Sequence, residues 1–334
     1  MPCQLDLPRA RPPLWTRLCP REVRLPGLRV HYGYTICGGY GTTIALTVVH
    51  NLYFVDWRQK GTEMKLTQTA IGGDTALAVG TAGHGPLPIL MLHGYSLSQE
   101  GWDRVVPLFP ADQVTLYAYD LRGFGASSGA QGPYRQAQHA QDVIALMDRL
   151  ELEKACLVGH SLGGAISQEV TVTWPDRVFA LVSCNAFARF NALPGLDEEK
   201  SNRARRVSDP TVNREVVSVS ATRYLEPRNT TPADIETLTR IALSASTDAL
   251  HDQLIDAYTA PALPRAAYEA LRVPTLSLTG ATDTVVPLAQ TIDLAEAVPE
   301  AELSVMPRNG HTPMWEDPVN FARIVTEFLL RRTG

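Results

Sequence analysis

From Leu66 onward, short apolar runs alternate with stretches of helical periodicity. Runs at Leu66–Ile71, Ala76–Thr81, Pro88–Leu92, Val114–Ala118, Ala155–Val158, Ala180–Ser183, Thr275–Thr279 and Glu302–Met306 predict eight strands. Ile89-Leu90-Met91-Leu92 and Val114-Thr115-Leu116-Tyr117-Ala118 are nearly continuous in apolar residues, as strands buried on both faces should be. Between the runs, residues 135–150 place Ala137, Ala140, Val143, Ile144, Met147 and Leu150 on one helical stripe, and residues 162–174 and 318–331 read the same way. Strands alternating with helices predict an α/β fold, a mostly parallel eight-stranded sheet flanked by helices.

Two regions break the alternation. Residues 187–268 carry helical patterns over 213–224, 232–246 and 249–258 and no strand pattern, so they are expected to form a helical cap inserted between two strands. Such insertions sit over the crevice at the carboxyl ends of the strands. Residues 1–63 differ from the rest of the chain. The stretch Met1–Pro26 is rich in Pro and Arg without apolar period, and Tyr34–Val55 runs 22 positions without Lys, Arg, Asp or Glu. That run has the length of a membrane anchor, but Gly38, Gly39 and Gly41 and its many polar residues weaken it. A cleaved signal peptide fits less well, because the run begins late. Met64 opens a natural first strand, so the working unit is expected to be residues 64–334. Residues 1–63 would then be an extension, disordered or outside the functional protein.

Composition narrows the function classes. The 334 residues include 45% apolar and 19% charged positions, within the globular range. Eight Lys/Arg against four Asp/Glu give residues 1–63 a charge of +4; with −5 overall, residues 64–334 carry −9. Nucleic-acid binding is not expected from an acidic chain without clustered basic residues. The five cysteines, Cys3, Cys19, Cys37, Cys156 and Cys184, fit no zinc or CxxC spacing. The sequence shows no HExxH, no P-loop and no GxGxxG after its first strand. A cytoplasmic enzyme without metal or organic cofactor is therefore expected.

The strongest chemical signal is Cys156-Leu157-Val158-Gly159-His160-Ser161-Leu162-Gly163-Gly164, an apolar strand entering G-x-S-x-G and then a helix. The five-residue pattern is weak alone; strand before and helix after raise it. A serine on such a turn is held in a strained conformation, with glycines where a Cβ would collide, and it projects at a helix N-terminus that favours negative charge. The plainer alternative is a serine that caps the helix.

With this turn, residues 64–334 resemble the α/β-hydrolase-fold enzymes, and further motifs follow in that family's order. His93-Gly94-Tyr95-Ser96 stands where the family has its oxyanion loop, and Asp120-Leu121-Arg122-Gly123-Phe124-Gly125-Ala126-Ser127 resembles its D-x-R-G-x-G-x-S loop. Gly280-Ala281-Thr282-Asp283 follows a late strand, and Asn309-Gly310-His311, then Glu316-Asp317-Pro318, precede the last helix. The resemblance implies Ser161 as nucleophile, His311 as general base and Asp283 as the acid that orients it, in the chain order this fold uses. Backbone N–H groups of Tyr95 and Leu162 would form the oxyanion hole, each worth about 3 kcal/mol in the transition state when aligned. His93 is expected to brace its loop and His160 to point away along the turn, while Asp120 reads as a structural loop residue beside Arg122. Some relatives carry the acid one strand earlier, but here that place reads Cys184-Asn185-Ala186.

Within the family, an aspartate at the nucleophile position would imply epoxide or haloalkane chemistry; Ser161 implies acyl transfer to water instead. The expected substrate is a small carboxylic ester or lactone. Carbon–carbon bond hydrolysis of a ring-cleavage product is the alternative on the same three residues, and a non-catalytic binding member is a third. Met314 and Trp315 either line the pocket or pack beneath it, and an arginine of the insertion could clamp a substrate carboxylate.

Overall fold

The computed structural model describes residues 64–189 and 210–332 together with two short strands, Gly33–Cys37 and Thr43–Thr47. These two strands are β1 and β2. The others are β3 (Lys65–Gly72), β4 (Thr75–Gly83), β5 (Leu87–Leu92), β6 (Val114–Tyr119), β7 (Ala155–His160), β8 (Val178–Cys184), β9 (Thr275–Gly280) and β10 (Glu302–Met306). All eight strands expected from the apolar runs are present; β10 has the expected bounds and the other seven are longer by one to three residues. They lie in the order β10-β9-β8-β7-β5-β6-β4-β3, with β1 and β2 as an antiparallel hairpin beyond β10. Strands β5 to β10 run parallel; β4 pairs antiparallel with β6, and β3 with β4. Both described strands of the uncharged 34–55 stretch belong to that hairpin; its other residues lie outside the described ones. No helix among the described residues is long and apolar enough to cross a membrane.

The period-2 geometry of a strand explains the central apolar runs. Ile89 and Met91 of β5 enter one core with Trp102, Phe321 and Phe328, while Leu90 and Leu92 enter another with Val143, Leu146 and Ile166. Helices α1 (Gln136–Arg149), α2 (Leu162–Thr173), α7 (Leu288–Ala297) and α9 (Pro318–Leu330) flank the sheet, and α8 (Pro313–Glu316) is a single turn before α9. The sequence reading did not assign α7. Its buried positions are Thr291, Leu294, Ala295 and Ala297, small or polar enough to leave a faint periodic signal.

On α1 the buried face is rotated from the expected stripe. Ala140, Val143 and Met147 are buried, but Ala137 is exposed, and His139, Asp142 and Leu146 face inward. The reason is polar: Arg122 donates two hydrogen bonds to Asp142 (2.8 and 2.6 Å), so a charged pair occupies part of that face.

Between β8 and β9 lies the cap, with α3 (Pro210–Tyr224), α4 (Pro232–Leu243), α5 (Thr247–Thr259) and α6 (Arg265–Glu269). Thr231 and Asp234 form a reciprocal capping box that starts α4, a device worth about 1 kcal/mol. Asp234 also accepts from Arg104 and from the Trp315 indole (3.1 Å), which ties the cap to the main domain. At the other side Gln136 N–H donates to Asp256 (2.7 Å) and Ser246 N–H to the Gly123 carbonyl (2.7 Å).

Candidate active site

Ser161 stands where β7 passes into α2. Its backbone has φ 51° and ψ −114°, a left-handed conformation that costs a non-glycine residue about 1–3 kcal/mol. The Ser161 N–H donates to Cys184 O (2.8 Å), locking the turn against β8. A Cβ at Gly159 would overlap the Gly163 carbonyl, and one at Gly163 would overlap the carbonyls of Leu92 and His93. The hydroxyl makes no capping bond to α2, so the plainer reading of a cap serine does not hold.

Asp283 follows β9 and His311 follows β10, and the two meet. His311 Nδ1 lies 2.8 Å from Asp283 Oδ2, with both side chains buried. Asp283 Oδ1 accepts the N–H groups of Val285 (2.7 Å) and Val286 (3.0 Å), and Oδ2 also accepts from the Asn185 amide (2.7 Å). Burial would raise the Asp283 pKa, but the attraction and hydrogen bond of His311, with the Asn185 and Val286 donors, outweigh it and hold the carboxyl below its ordinary value. An ionised Asp283 makes Nδ1 the protonated nitrogen of His311 and leaves Nε2 as the basic one.

The histidine loop is held from three sides. His311 N–H donates to Tyr224 O at the end of α3 (2.8 Å), and the His160 ring lies 4.8 Å from the His311 ring with its Nε2 donating to His311 O (2.7 Å). Glu316 accepts Gly310 N–H (3.0 Å), Thr312 N–H (3.3 Å) and, from the cap, Glu226 N–H (2.8 Å). Burial raises the Glu316 pKa against the opposing pull of these donors. The sequence reading assigned no role to Asn185, Tyr224 or Glu316. Asn185 and Glu316 were visible beside the motifs, but only the folded chain shows what they touch.

The other motif residues fall into supporting places. His93 Nε2 accepts Leu121 N–H (3.0 Å), so Nδ1 carries the proton and donates to Gly94 O (2.8 Å). Burial pushes the His93 pKa down to about 4 and that of His160 to about 3, so both imidazoles are neutral at neutral pH. Asp120 accepts the N–H groups of Gln99 and Ala126 (2.7 Å each) and stitches two loops together; burial pushes its pKa up to about 6. Tyr95 follows β5 and its hydroxyl donates to Leu250 O on α5 (2.9 Å). Leu162 is the first residue of α2, where opening N–H groups have no acceptor within the helix.

Of the two readings for Met314 and Trp315, packing is the one the contacts describe. Both are buried in the core that holds Phe321 and Phe328, and Arg104 lies 3.9 Å over the Trp315 ring. Several insertion arginines are paired with acids, Arg189 with Glu169, Arg240 with Glu100 and Arg265 with Glu269; Arg203, Arg205 and Arg206 lie outside the described residues. Among the described residues no three His, Cys, Asp or Glu side chains are grouped to hold a metal ion.

Known proteins share this fold. The profile of the alpha/beta hydrolase fold family matches residues 88–318. A 3-oxoadipate enol-lactonase 2 of Acinetobacter baylyi is 29% identical over 271 residues, covering 79% of this chain and 96% of that protein. A 2-hydroxymuconate semialdehyde hydrolase of a Pseudomonas species is 28% identical over 252 residues, covering 72% and 86%. Among solved structures, a thermophilic esterase from Thermogutta terrifontis superposes with a TM-score of 0.70 at 24% identity, covering 81% of this chain and 100% of that one. From the sheet order, the strained serine turn and these matches together, the chain belongs to the alpha/beta-hydrolase-fold family and is a hydrolase of the type that includes esterases and enol-lactonases.

Proposed function

We propose that the protein hydrolyses a small carboxylic ester or lactone through an acyl-enzyme on Ser161. The observation that carries this reading is the His311 Nδ1–Asp283 Oδ2 bond of 2.8 Å, on loops adjoining the uncapped serine turn. His311 Nε2 takes the Ser161 proton as Oγ attacks the carbonyl carbon. The carbonyl oxygen becomes an oxyanion, which the N–H groups of Leu162 and Tyr95 stabilise. Collapse breaks the acyl–oxygen bond, and His311 returns the proton to the departing alkoxide. From a lactone the alcohol stays attached to the acyl group, so one hydroxy acid is released. Water, deprotonated by His311, then attacks the acyl-enzyme and frees Ser161. Asp283 keeps the imidazole in its Nδ1–H form and stabilises it when charged. No metal or organic cofactor enters these steps, and every residue they use lies beyond Met64.

Similarity to a semialdehyde hydrolase gives carbon–carbon cleavage a place as the second reading. A series of p-nitrophenyl esters of graded acyl length, with Ser161→Ala as control, tests the proposal. Turnover of short esters that the alanine variant loses is the expected result. Turnover that survives in Ser161→Ala overturns the nucleophile assignment. Inactivity on esters and lactones with turnover of a vinylogous diketone replaces the proposal with carbon–carbon hydrolysis.

A further inference from the structure

Asn185 does something that the three proposed catalytic residues cannot do for themselves. It is fully buried at the end of β8, in the left-handed region with φ 48°, where Asn is among the few tolerated side chains. Its N–H donates to Leu278 O (2.8 Å), which carries the β8–β9 pairing one residue past the last paired strand positions and anchors the backbone. The carboxamide nitrogen then reaches two different loops. One bond goes to Asp283 Oδ2 (2.7 Å) on the acid loop, and the other to Gly310 O (3.1 Å), next to His311 on the histidine loop. The amide cannot be turned round, because its oxygen would then face a carboxylate and a carbonyl. Its oxygen instead accepts the Cys184 thiol (3.3 Å).

We propose that Asn185 is a positioning residue: its two N–H donors set the spacing between the Asp283 and His311 loops and hold Oδ2 toward the imidazole. The inference rests on the catalytic reading above. His311 and Asn185 share a single carboxylate oxygen, so Asn185 fixes the atom that His311 must find. A carboxylate at this place, as an acid one strand earlier would be, has no donor for either partner and repels both.

Asn185→Asp and Asn185→Ala test the inference in the full-length chain. The readouts are kcat and KM for p-nitrophenyl acetate and the rate of inactivation by a fluorophosphonate, each from about pH 5.5 to about pH 9. In that inactivation Ser161 Oγ bonds to phosphorus, fluoride leaves and His311 takes the proton. Asn185→Ala is expected to lower kcat and the inactivation rate about ten- to a hundredfold with KM little changed, by a similar factor at every pH. Asn185→Asp is expected to lose as much near pH 8 but to recover toward the wild-type rate as pH falls, because the introduced carboxyl, once protonated, regains one donor for Asp283. A role in packing alone would produce no such pH-dependent ratio. If Asn185→Asp fails to fold by circular dichroism, Asn185→Ala decides: a loss below about fivefold overturns the inference, and a larger loss in kcat supports it. Rates for Asn185→Asp within about fivefold of wild type at every pH also overturn it. Fluorophosphonate labelling that persists in Ser161→Ala refutes the catalytic reading itself, a different failure.

Discussion

Replacing Asp283 by asparagine changes one oxygen into an NH2 group, and the site has nowhere neutral to put it. All four bonds to the carboxylate come from donors: Val285 and Val286 N–H on Oδ1, Asn185 and His311 on Oδ2. Turned toward Oδ1, the new NH2 would face two backbone donors that cannot change, and both would lose their acceptor. Turned toward Oδ2, it faces the Asn185 amide, whose bond is lost, and His311, which can adapt by moving its proton from Nδ1 to Nε2. The second arrangement costs less, and its outcome is an imidazole whose Nε2 is already protonated and cannot accept the Ser161 proton. The expected loss is about 10³- to 10⁴-fold in kcat, or about 4–5.5 kcal/mol of transition-state stabilisation, with KM changed much less. Steady-state kinetics on a short p-nitrophenyl ester, with a thermal melt to show the fold intact, would measure it. An Asp283→Asn enzyme within about tenfold of wild type in kcat would refute both the tautomer argument and the role of this carboxylate.

Two other outcomes follow from the packing around the site. Gly94→Ala would place a Cβ 2.5 Å from His160 Nδ1 and 3.1 Å from Ser161 Cβ, and the His160 ring cannot swing away while it bonds to His311 O. Overpacking of about 1–3 kcal/mol in urea denaturation and at least about a tenfold fall in kcat are expected; no change in either would show that the ring is free to move. His93→Gln keeps an acceptor for Leu121 N–H and removes a titrating group. Because burial lowers the His93 pKa from 6.5 to about 4, its protonation opposes folding. The stability His93 contributes is whole above pH 6.5 and is lost as pH falls to about 4. Relative to His93→Gln, the wild type should therefore lose about 3 kcal/mol across that interval, and a constant difference between the two in urea melts would refute it.

Much of this molecule is readable along the chain. Continuous apolar runs such as Ile89–Leu92 and helical stripes such as Pro318–Leu330 are local patterns, and the α/β alternation they spell out was enough to place the sheet and the cap. The Ser161, Asp283 and His311 motifs were legible because each follows a strand in a known order. What that reading lacked was the relations between loops that no family motif carries. The α1 face was misjudged at Ala137 because Asp142 is buried by its partnership with Arg122, 20 positions earlier, which outweighs periodicity. The bond of the Trp315 indole to Asp234, 81 positions away, has no local signal. Asn185 looked only like a missing carboxylate, until β8, β9 and β10 brought it against Asp283 and Gly310. Local sequence determines which backbone each segment can adopt, because propensity and periodicity act over a few residues. Which buried donor meets which acceptor is decided only by the assembled sheet, because burial makes an unpaired polar group costly and the partner can come from anywhere in the chain.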